Sequence, residues 1–463
     1  MTEKAADVAD ALAVVSVLWA LAAMWHVLAA PVSASPASQL LLAAGIAVAI
    51  AWPGAPAGLG LLALGVLATT WSEAPFLGNH WVLSAFLGLG VLAVAASTAG
   101  AGFDGTLFAT RFLPLARACL LGFYVFAAFA KLNSAFFDRS VSCGVVYFHE
   151  STDSVGLSFL QAGGHAGVEW AVIVGTAAVE LSIPVLLVWR RTRAVGVVVA
   201  LAFHGVLALD RHHSFVDFSS LLAVLFVCFL PASSLAAAAR AVRPRVPLAG
   251  RALAAVVPAG LVAGVAAREL DPDLILELRW WSWQAASLLL VAVVGRHVLR
   301  TRPAPEPRIL EVRPAALLLV PALVVANGLT PYLEIKTSYG WNMYANLRTV
   351  DGDSNHFVVR RTFPVGDAQE DLVRIVATDD PVLQGYADDD VLLPFRNLQA
   401  RLAERPETAL TYERGGRTHR VDRAADDPEL VDAPPEWQQK ALAFRSSDGS
   451  APERCQTFIR PAG

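Results

Sequence analysis

The chain of 463 residues is 55% hydrophobic and only 16% charged, and its formal net charge is −4. Because soluble chains of this length carry about a quarter charged residues, the composition excludes an ordinary soluble protein. No basic tract indicates a nucleic-acid partner. Aspartate, glutamate and arginine are concentrated after residue 331. We therefore predict a membrane domain over residues 1–331 and a soluble domain over residues 332–463.

Apolar runs that are long enough, or nearly long enough, to cross about 30 Å of hydrocarbon recur through the first domain. We predict about eleven transmembrane helices, and therefore a polytopic α-helical membrane bundle. The run around Trp52, Pro53 and Gly54 leaves two interpretations open, either two short helices or one broken element. The predicted spans cover residues 11–31, 38–53, 56–71, 80–98, 111–131, 168–189, 194–210, 214–231, 249–267, 279–298 and 313–331.

The basic residues predict the orientation of this bundle. Arginines cluster at residues 190–193, 240–251 and 296–313, whereas the alternate loops hold few of them. Cytoplasmic loops carry the excess of lysine and arginine, and eleven spans with a cytoplasmic N-terminus place all three clusters in the cytoplasm. We therefore expect a multi-pass protein of the cell membrane whose C-terminal domain is extracytoplasmic.

Polar residues within the spans are candidates for a site. Arg117, Tyr124 and Lys131 are seven residues apart, which places them on one face of a helix. Lys131 either extends to the lipid headgroups or presents a functional amine to a cavity within the membrane. Glu180 and His204 also lie inside apolar spans, and Glu180 is expected to pair with a basic group such as Arg117. Ionisable groups are costly in lipid, so these residues should face a cavity or a partner.

The link over residues 132–167 is long for a membrane loop, and its aromatic residues predict an ordered lid on the membrane surface. After residue 331 we predict a small β-rich or α+β domain. Cys143 and Cys455 would both lie in an oxidising compartment, either as a disulfide or as two free thiols. The predicted strands cover residues 341–350, 357–363, 371–378, 410–413 and 418–422, and the predicted helices cover residues 397–404 and 435–444.

A short polar stretch contains Asp210, His212, His213 and Asp217, residue types that bind several divalent metals. Their spacing matches no strong ligand signature. We therefore expect no metal site there and no metal cofactor.

Four parts of the chain resemble the HTTM family, the membrane domain that is shared with vitamin K-dependent gamma-carboxylase. The order and predicted topology of these parts are similar to those of the family, and the last part resembles its bacterial members. The segments are residues 78–81 (GNHW), 129–133 (FAKLN), 203–205 (FHG) with 215–218 (FVDF), and 331–337 (PYLEIKT) with 343–349 (MYANLRT) and 354–356 (SNH).

The resemblance implies a chemistry. In the carboxylase, a lysine at the matching helix end acts as a base on a reduced naphthoquinone. Oxygenation of that quinol produces a strong base that removes a glutamyl γ-proton, and carbon dioxide is then added. Carried over to this chain, Lys131 would be the base, His80 the assisting group with Asn79 beside it, and His204 a residue of the cavity lining. The implied cofactor is a reduced quinone of the vitamin K or menaquinone type.

Two classes of function remain open. The first is a gamma-carboxylase-like membrane enzyme that couples quinol oxygenation to modification of a substrate at the outer face, such as a secreted peptide or protein. The second is a non-enzymatic membrane protein that binds or transports a lipophilic, quinone-like molecule. Loss of the Lys131 amine should abolish turnover in the first class and spare ligand binding. In the second class it should be tolerated or should weaken binding itself.

Overall fold

Helices form most of the first 330 residues, and a small sheet lies near the C-terminus. The structure, a computed structural model, describes residues 3–29, 35–102, 104–161, 166–211, 213, 215–242, 260, 263–268, 270–301, 309–449 and 452–455. The helices before residue 331 are α1 Glu3–Ala29, α2 Pro36–Ala51, α3 Pro56–Glu73, α4 Asn79–Thr98, α5 Gly105–Ala130, α6 Cys143–Ser154, α7 Ala166–Val188, α8 Arg193–Leu207, α9 Phe215–Val227, α10 Ala232–Val242, α11 Pro272–Thr301 and α12 Leu319–Leu329.

Several of these helices are suited to a lipid bilayer, as expected for a multi-pass membrane protein. Within the described ranges, five are long and apolar enough to cross it, namely α1, α4, α5, α7 and α11. The pair α9 and α10 would make a sixth, but its axis bends by 110°. Shorter apolar helices include α2, α8 and the stretch Ala315–Leu329. Most of the predicted span 249–267 lies outside the described residues.

The region around Trp52 joins two helices, α2 and α3, by a short turn. Helices α2 and α3 pack closely against each other because glycines lie at their contact. A methyl group on Gly65 would lie 2.5 Å from Leu42 Cα, and one on Gly45 would lie 2.6 Å from Leu62 Cα. Small residues permit such close backbone approach between membrane helices, where packing itself stabilises association.

We expect Gly65→Ala and Gly45→Ala each to destabilise the bundle by about 1–3 kcal/mol, because backbone atoms cannot move away from the added methyl group. Gly60→Ala is the matched control on α3, since nothing lies within 4 Å of its new methyl group. Thermal unfolding in detergent measures the difference. Equal melting temperatures for all three variants would contradict this close packing.

Helix α5 is the central helix of the bundle, in contact with α1, α4, α7, α9 and α12. Its N-terminus is capped by Asp104, whose carboxylate accepts a hydrogen bond from the Leu107 N–H at 2.8 Å. The helix ends at Ala130, and Lys131 occupies the capping position, where its N–H bonds to Ala128 O. The side chain of Lys131 therefore starts from a fixed backbone.

Residues 132–161 of the link that follows α5 pack against the bundle. Its helix α6 contacts α7 and α8, and Phe136 and Tyr147 are buried. Large aromatic side chains contribute much of the apolar area that such contacts bury.

The segment after α12 is irregular over most of the predicted strand 341–350, and no strand forms at 357–363. Only β1 (Thr349–Val350) pairs with β2 (Asp353–Ser354). The prediction fails because strands require negative φ angles. Positive φ values of 51–59° occur at Tyr339, Trp341, Tyr344 and Asn346. Side chains of the bundle hold this backbone, and Asn79 Oδ1 accepts the Trp341 N–H at 3.0 Å.

Five strands and three α-helices follow in the described C-terminal residues. The elements are β3 Leu372–Thr378, α13 Pro381–Asp388, β4 Val391–Pro394, α14 Phe395–Glu404, β5 Leu410–Arg414, β6 Arg417–Val421, α15 Glu436–Ala441 and β7 Ser447–Asp448. The strands form an antiparallel sheet with the order β6-β5-β3-β4-β7. Helices α13 and α14 contribute Leu383, Tyr386, Leu398 and Leu402 to its core. The sequence predicted β3, the β5–β6 hairpin and α14 to within a few residues.

The end of the described chain is attached to helix α6 of the bundle. Cys455 forms a disulfide with Cys143 at the start of α6. Asn346 Nδ2 donates to Glu453 O at 3.0 Å, and the Glu453 side chain is buried. Burial and the nearby Asp448 carboxylate raise the pKa of Glu453 to about 8.

This pKa predicts how stability depends on pH. The unfolded chain releases the Glu453 proton near pH 4.3, whereas the folded chain holds it up to about pH 8. Stability should therefore fall as the pH rises through this window. Glu453→Gln, which is neutral throughout, should remove that part of the decrease in melting temperature between pH 5 and 8.5. The exposed control Glu370→Gln should keep the wild-type profile, and an unchanged profile in Glu453→Gln would refute the assignment.

Candidate functional site

A mostly apolar cavity of about 500 Å³ lies between α5, α6, α7 and α8. Binding sites for small molecules occupy this volume range and combine apolar walls with a few polar groups. The lining of this cavity contains few polar groups, and they come from several elements. They include Lys131, Tyr124, Glu180 and His204.

The Lys131 amine faces this cavity and is paired with a carboxylate. Its Nζ lies 2.8 Å from Glu180 Oε2 and 3.5 Å from Ala127 O. Both side chains are buried. Neither extension of Lys131 to the headgroups nor pairing of Glu180 with Arg117 is observed. In a low-dielectric site each charge is stable only because the other is present.

Tyr124 and His204 form a second polar pair on the same cavity. The Tyr124 hydroxyl lies 3.2 Å from His204 Nε2, and Ser219 Oγ donates to His204 O at 2.9 Å. The other ring nitrogen, Nδ1, is buried and has no hydrogen-bond partner among the described residues. An unpaired buried nitrogen is costly and is available to a polar atom of a ligand.

The irregular segment contributes Met343 and Tyr344 to the wall of the cavity. The Tyr344 ring contacts Tyr147 and Phe215 at centroid distances of 4.7 and 4.9 Å. Its φ of 51° is unfavourable for a bulky residue, and such strain persists only where the surroundings impose it. The sequence predicts a strand over this stretch, so Tyr344 is not among the predicted site residues, although it lies in the MYANLRT run that carries part of the family resemblance.

Apolar side chains at the rim indicate how a ligand enters. Leu157, Ala171 and Val206 line the cavity and are exposed on the surface of the bundle. Ala171 and Val206 belong to the apolar helices α7 and α8. A rim of this kind admits a lipophilic molecule from the bilayer more readily than a charged one from water.

Three predicted site residues lie outside the cavity lining. Arg117 donates to Cys228 O at 2.6 Å and to Ile309 O at 3.2 Å. Asn79 holds the Trp341 backbone, as described above. His80 lies on the far side of Phe218, which contacts both the His80 ring and the His204 ring.

The two halves of the polar stretch at residues 210–217 separate in the structure. Asp210 and His213 meet Glu150, with both carboxylates 2.8 Å from His213 Nδ1. Burial lowers the pKa of His213, but the two carboxylates outweigh it and the pKa is raised. Asp217 instead meets His26 and His80. His212 lies outside the described residues.

The cavity therefore brings Lys131, Tyr124, Glu180 and His204 together from α5, its cap, α7 and α8. No protein-family model, curated protein or solved structure matches this chain.

The Lys131–Glu180 pair should give a strong coupling energy. Lys131→Met and Glu180→Leu should each destabilise the protein by about 3–5 kcal/mol, because each leaves a buried charge unpaired. The double variant should recover most of that loss, as judged by unfolding in detergent. The control is the more exposed Arg139–Glu169 pair, whose coupling should stay below about 1 kcal/mol. Additive losses at Lys131 and Glu180 would show that the pair is solvated.

Proposed function

We propose that this chain is an HTTM-like membrane enzyme that uses a reduced naphthoquinone to modify a substrate at the outer face. The most direct candidate for the reaction is carboxylation of a glutamyl side chain. The observation that carries the proposal is the buried Lys131–Glu180 pair, which faces an apolar cavity with an exposed apolar rim. A purely structural ion pair needs no such cavity.

Lys131 must lose its proton before it can act as a base. Glu180 is the acceptor within reach, since its Oε2 lies 2.8 Å from Nζ. Transfer of one proton between them replaces two buried charges by an amine and a carboxylic acid. Exclusion of water by an apolar ligand favours this neutral pair, because desolvation penalises charges.

The cavity fits a fused-ring quinol in size and in chemistry. Its volume of about 500 Å³ lies within the range for small-molecule sites, and Phe123, Phe136 and Phe148 are among its walls. When bound, the quinol supplies the electrons that reduce molecular oxygen, with one oxygen atom ending in an epoxide and the other in water. The neutral Lys131 amine accepts the proton of a quinol hydroxyl.

In this proposal the second polar pair, Tyr124 and His204, positions the other end of the quinol ring. We assign to His204 Nδ1 a hydrogen bond with a quinol oxygen, since His204 lines the cavity and this nitrogen has no hydrogen-bond partner among the described residues. The Tyr124 hydroxyl fixes the ring through Nε2. The assisting role that the resemblance implies for His80 and Asn79 therefore falls to His204 in our proposal.

The membrane topology completes the proposal. We propose eleven spans, a cytoplasmic N-terminus and an extracytoplasmic C-terminal domain. Lys131 then lies at the outer end of α5, where a secreted peptide and a lipid-soluble quinol can both reach it. The resemblance supports this arrangement, as do the arginine clusters.

A second candidate is a non-enzymatic protein that binds or transports a lipophilic molecule. The exposed apolar rim favours it equally, since entry from the bilayer serves binding as well as catalysis. The two candidates differ in whether the Lys131 amine is needed after the ligand is bound.

The test uses protein in lipid nanodiscs, chemically reduced vitamin K or menaquinone, oxygen, labelled bicarbonate and a glutamate-rich peptide. We expect quinone epoxide and fixed label from the wild type. The Lys131→Met/Glu180→Gln variant, which lacks the amine but leaves no unpaired charge, should lose at least about 100-fold of both signals. It should keep most of its quinone binding.

The control is Lys440→Met, which removes a lysine from a helical pair in the C-terminal region and should change neither signal. If the wild type forms neither epoxide nor fixed label with any quinone and peptide, the carboxylase proposal is wrong. If the amine-free variant keeps full turnover, Lys131 is not the base. Quinone binding without turnover would favour the binding or transport function.

A further inference from the structure

Two histidines and two carboxylates from four helices meet outside the cavity, at ends of the helices that the proposed topology places at the outer face. His26 is in α1, Glu73 ends α3, His80 begins α4 and Asp217 lies in the first turn of α9. All four side chains are more than nine-tenths buried. The mechanism proposed above uses none of them.

The contacts converge on one carboxylate oxygen. His26 Nδ1 lies 2.7 Å and His80 Nε2 lies 2.9 Å from Asp217 Oδ2. Ligand atoms of an ion at about 2.1 Å lie roughly 3 Å apart at neighbouring octahedral positions. We propose that His26, His80 and Asp217 bind one divalent transition-metal ion, such as Fe²⁺ or Zn²⁺, which takes the place of the shared protons.

The surrounding residues orient these ligands as metal sites require. His26 Nε2 lies 3.0 Å from Glu73 Oε2, so the second ring nitrogen is held by a carboxylate, as metal-bound histidines usually are. The Trp81 ring stacks on His26 at 3.5 Å. Gly78 leaves room for the His80 ring, since a methyl group there would lie 2.4 Å from its Cε1.

The cluster contains two buried carboxylates, and one of their oxygens has no partner within the described part of the chain. Asp217 and Glu73 are both buried, and the positive charge beside them comes from the buried Arg279, which interacts with Asp217, and from protons on His26 and His80. Glu73 Oε1 is buried and has no hydrogen-bond partner among the described residues. A divalent ion would stabilise both groups, because buried charge needs a close counter-charge.

The chemistry of the ligands selects the class of ion. Two imidazoles and one carboxylate suit iron, zinc and similar metals, and are poor ligands for calcium or magnesium, which prefer oxygen. An ion held by α1, α4 and α9 would fix three helices that meet next to Phe218, a residue of the cavity lining. The proposal concerns binding alone and does not depend on turnover.

The test is metal analysis of protein purified through a tag without histidines, before and after dialysis against Zn²⁺ or Co²⁺. We expect about one ion per chain, and X-ray absorption that shows imidazole ligands. His26→Gln and Asp217→Asn should each lower bound metal at least tenfold. Glu73→Gln should weaken binding by about 10–100-fold, since it changes only the partner of a ligand.

Two further variants locate the ion. His297→Gln, on α11, is the general control, and His213→Gln tests the separate cluster of Glu150, Asp210 and His213. Both should retain the metal. Loss of metal only in His213→Gln, or no binding by the wild type at micromolar Zn²⁺ and Co²⁺, would overturn the proposal. If the wild type binds neither ion, protons alone hold the cluster together. Circular dichroism and elution volume identify variants that fail to fold, and the absorption spectrum of the wild type tests the ligands without any substitution.

Discussion

The ion pair between Lys131 and Glu180 is the constraint on which the site depends. Two buried charges are stable in this part of the bundle only because they lie 2.8 Å apart. That distance fixes α5 against α7, and the backbone of Lys131 is in turn fixed by the end of α5. The cavity beside the pair is therefore preorganised, and a ligand that excludes water acts directly on the protonation of both groups.

Several polar groups of the bundle lie close to helix ends. Lys131 follows the last residue of α5, and the His26–Asp217 and Glu150–His213 clusters include residues at or near helix ends. This placement follows from lipid solvation, because polar side chains deep in hydrocarbon are costly and those near the surface are less so. It also explains why strained residues such as Tyr344 occur there, since neighbouring helix ends hold them in place.

Hydropathy predicted apolar helices because burial in lipid is a local property of the sequence, and five helices in the described ranges are long and apolar enough to cross a bilayer. Lys131, Tyr124, Glu180 and His204 were singled out for a similar reason, as each is polar within an apolar run. Their pairing was not predictable, and the expected Glu180–Arg117 contact gave way to Glu180–Lys131. His26 was missed entirely, since its partner Asp217 is 191 residues away and no local pattern joins them. The strand prediction at residues 341–350 failed because it used only the local sequence pattern. Such a pattern does not show that side chains of other elements hold the backbone in a different conformation.

The central claim is that Glu180 takes the Lys131 proton when an apolar ring fills the cavity. Infrared difference spectroscopy tests it directly, using oxidised naphthoquinone under anaerobic conditions so that the ligand has no proton to donate. The account predicts a new carbonyl band of a protonated carboxylic acid on binding, matched by a loss of carboxylate signal and absent in Glu180→Gln. Binding of the quinone with no such band, or with the same band in Glu180→Gln, would contradict it.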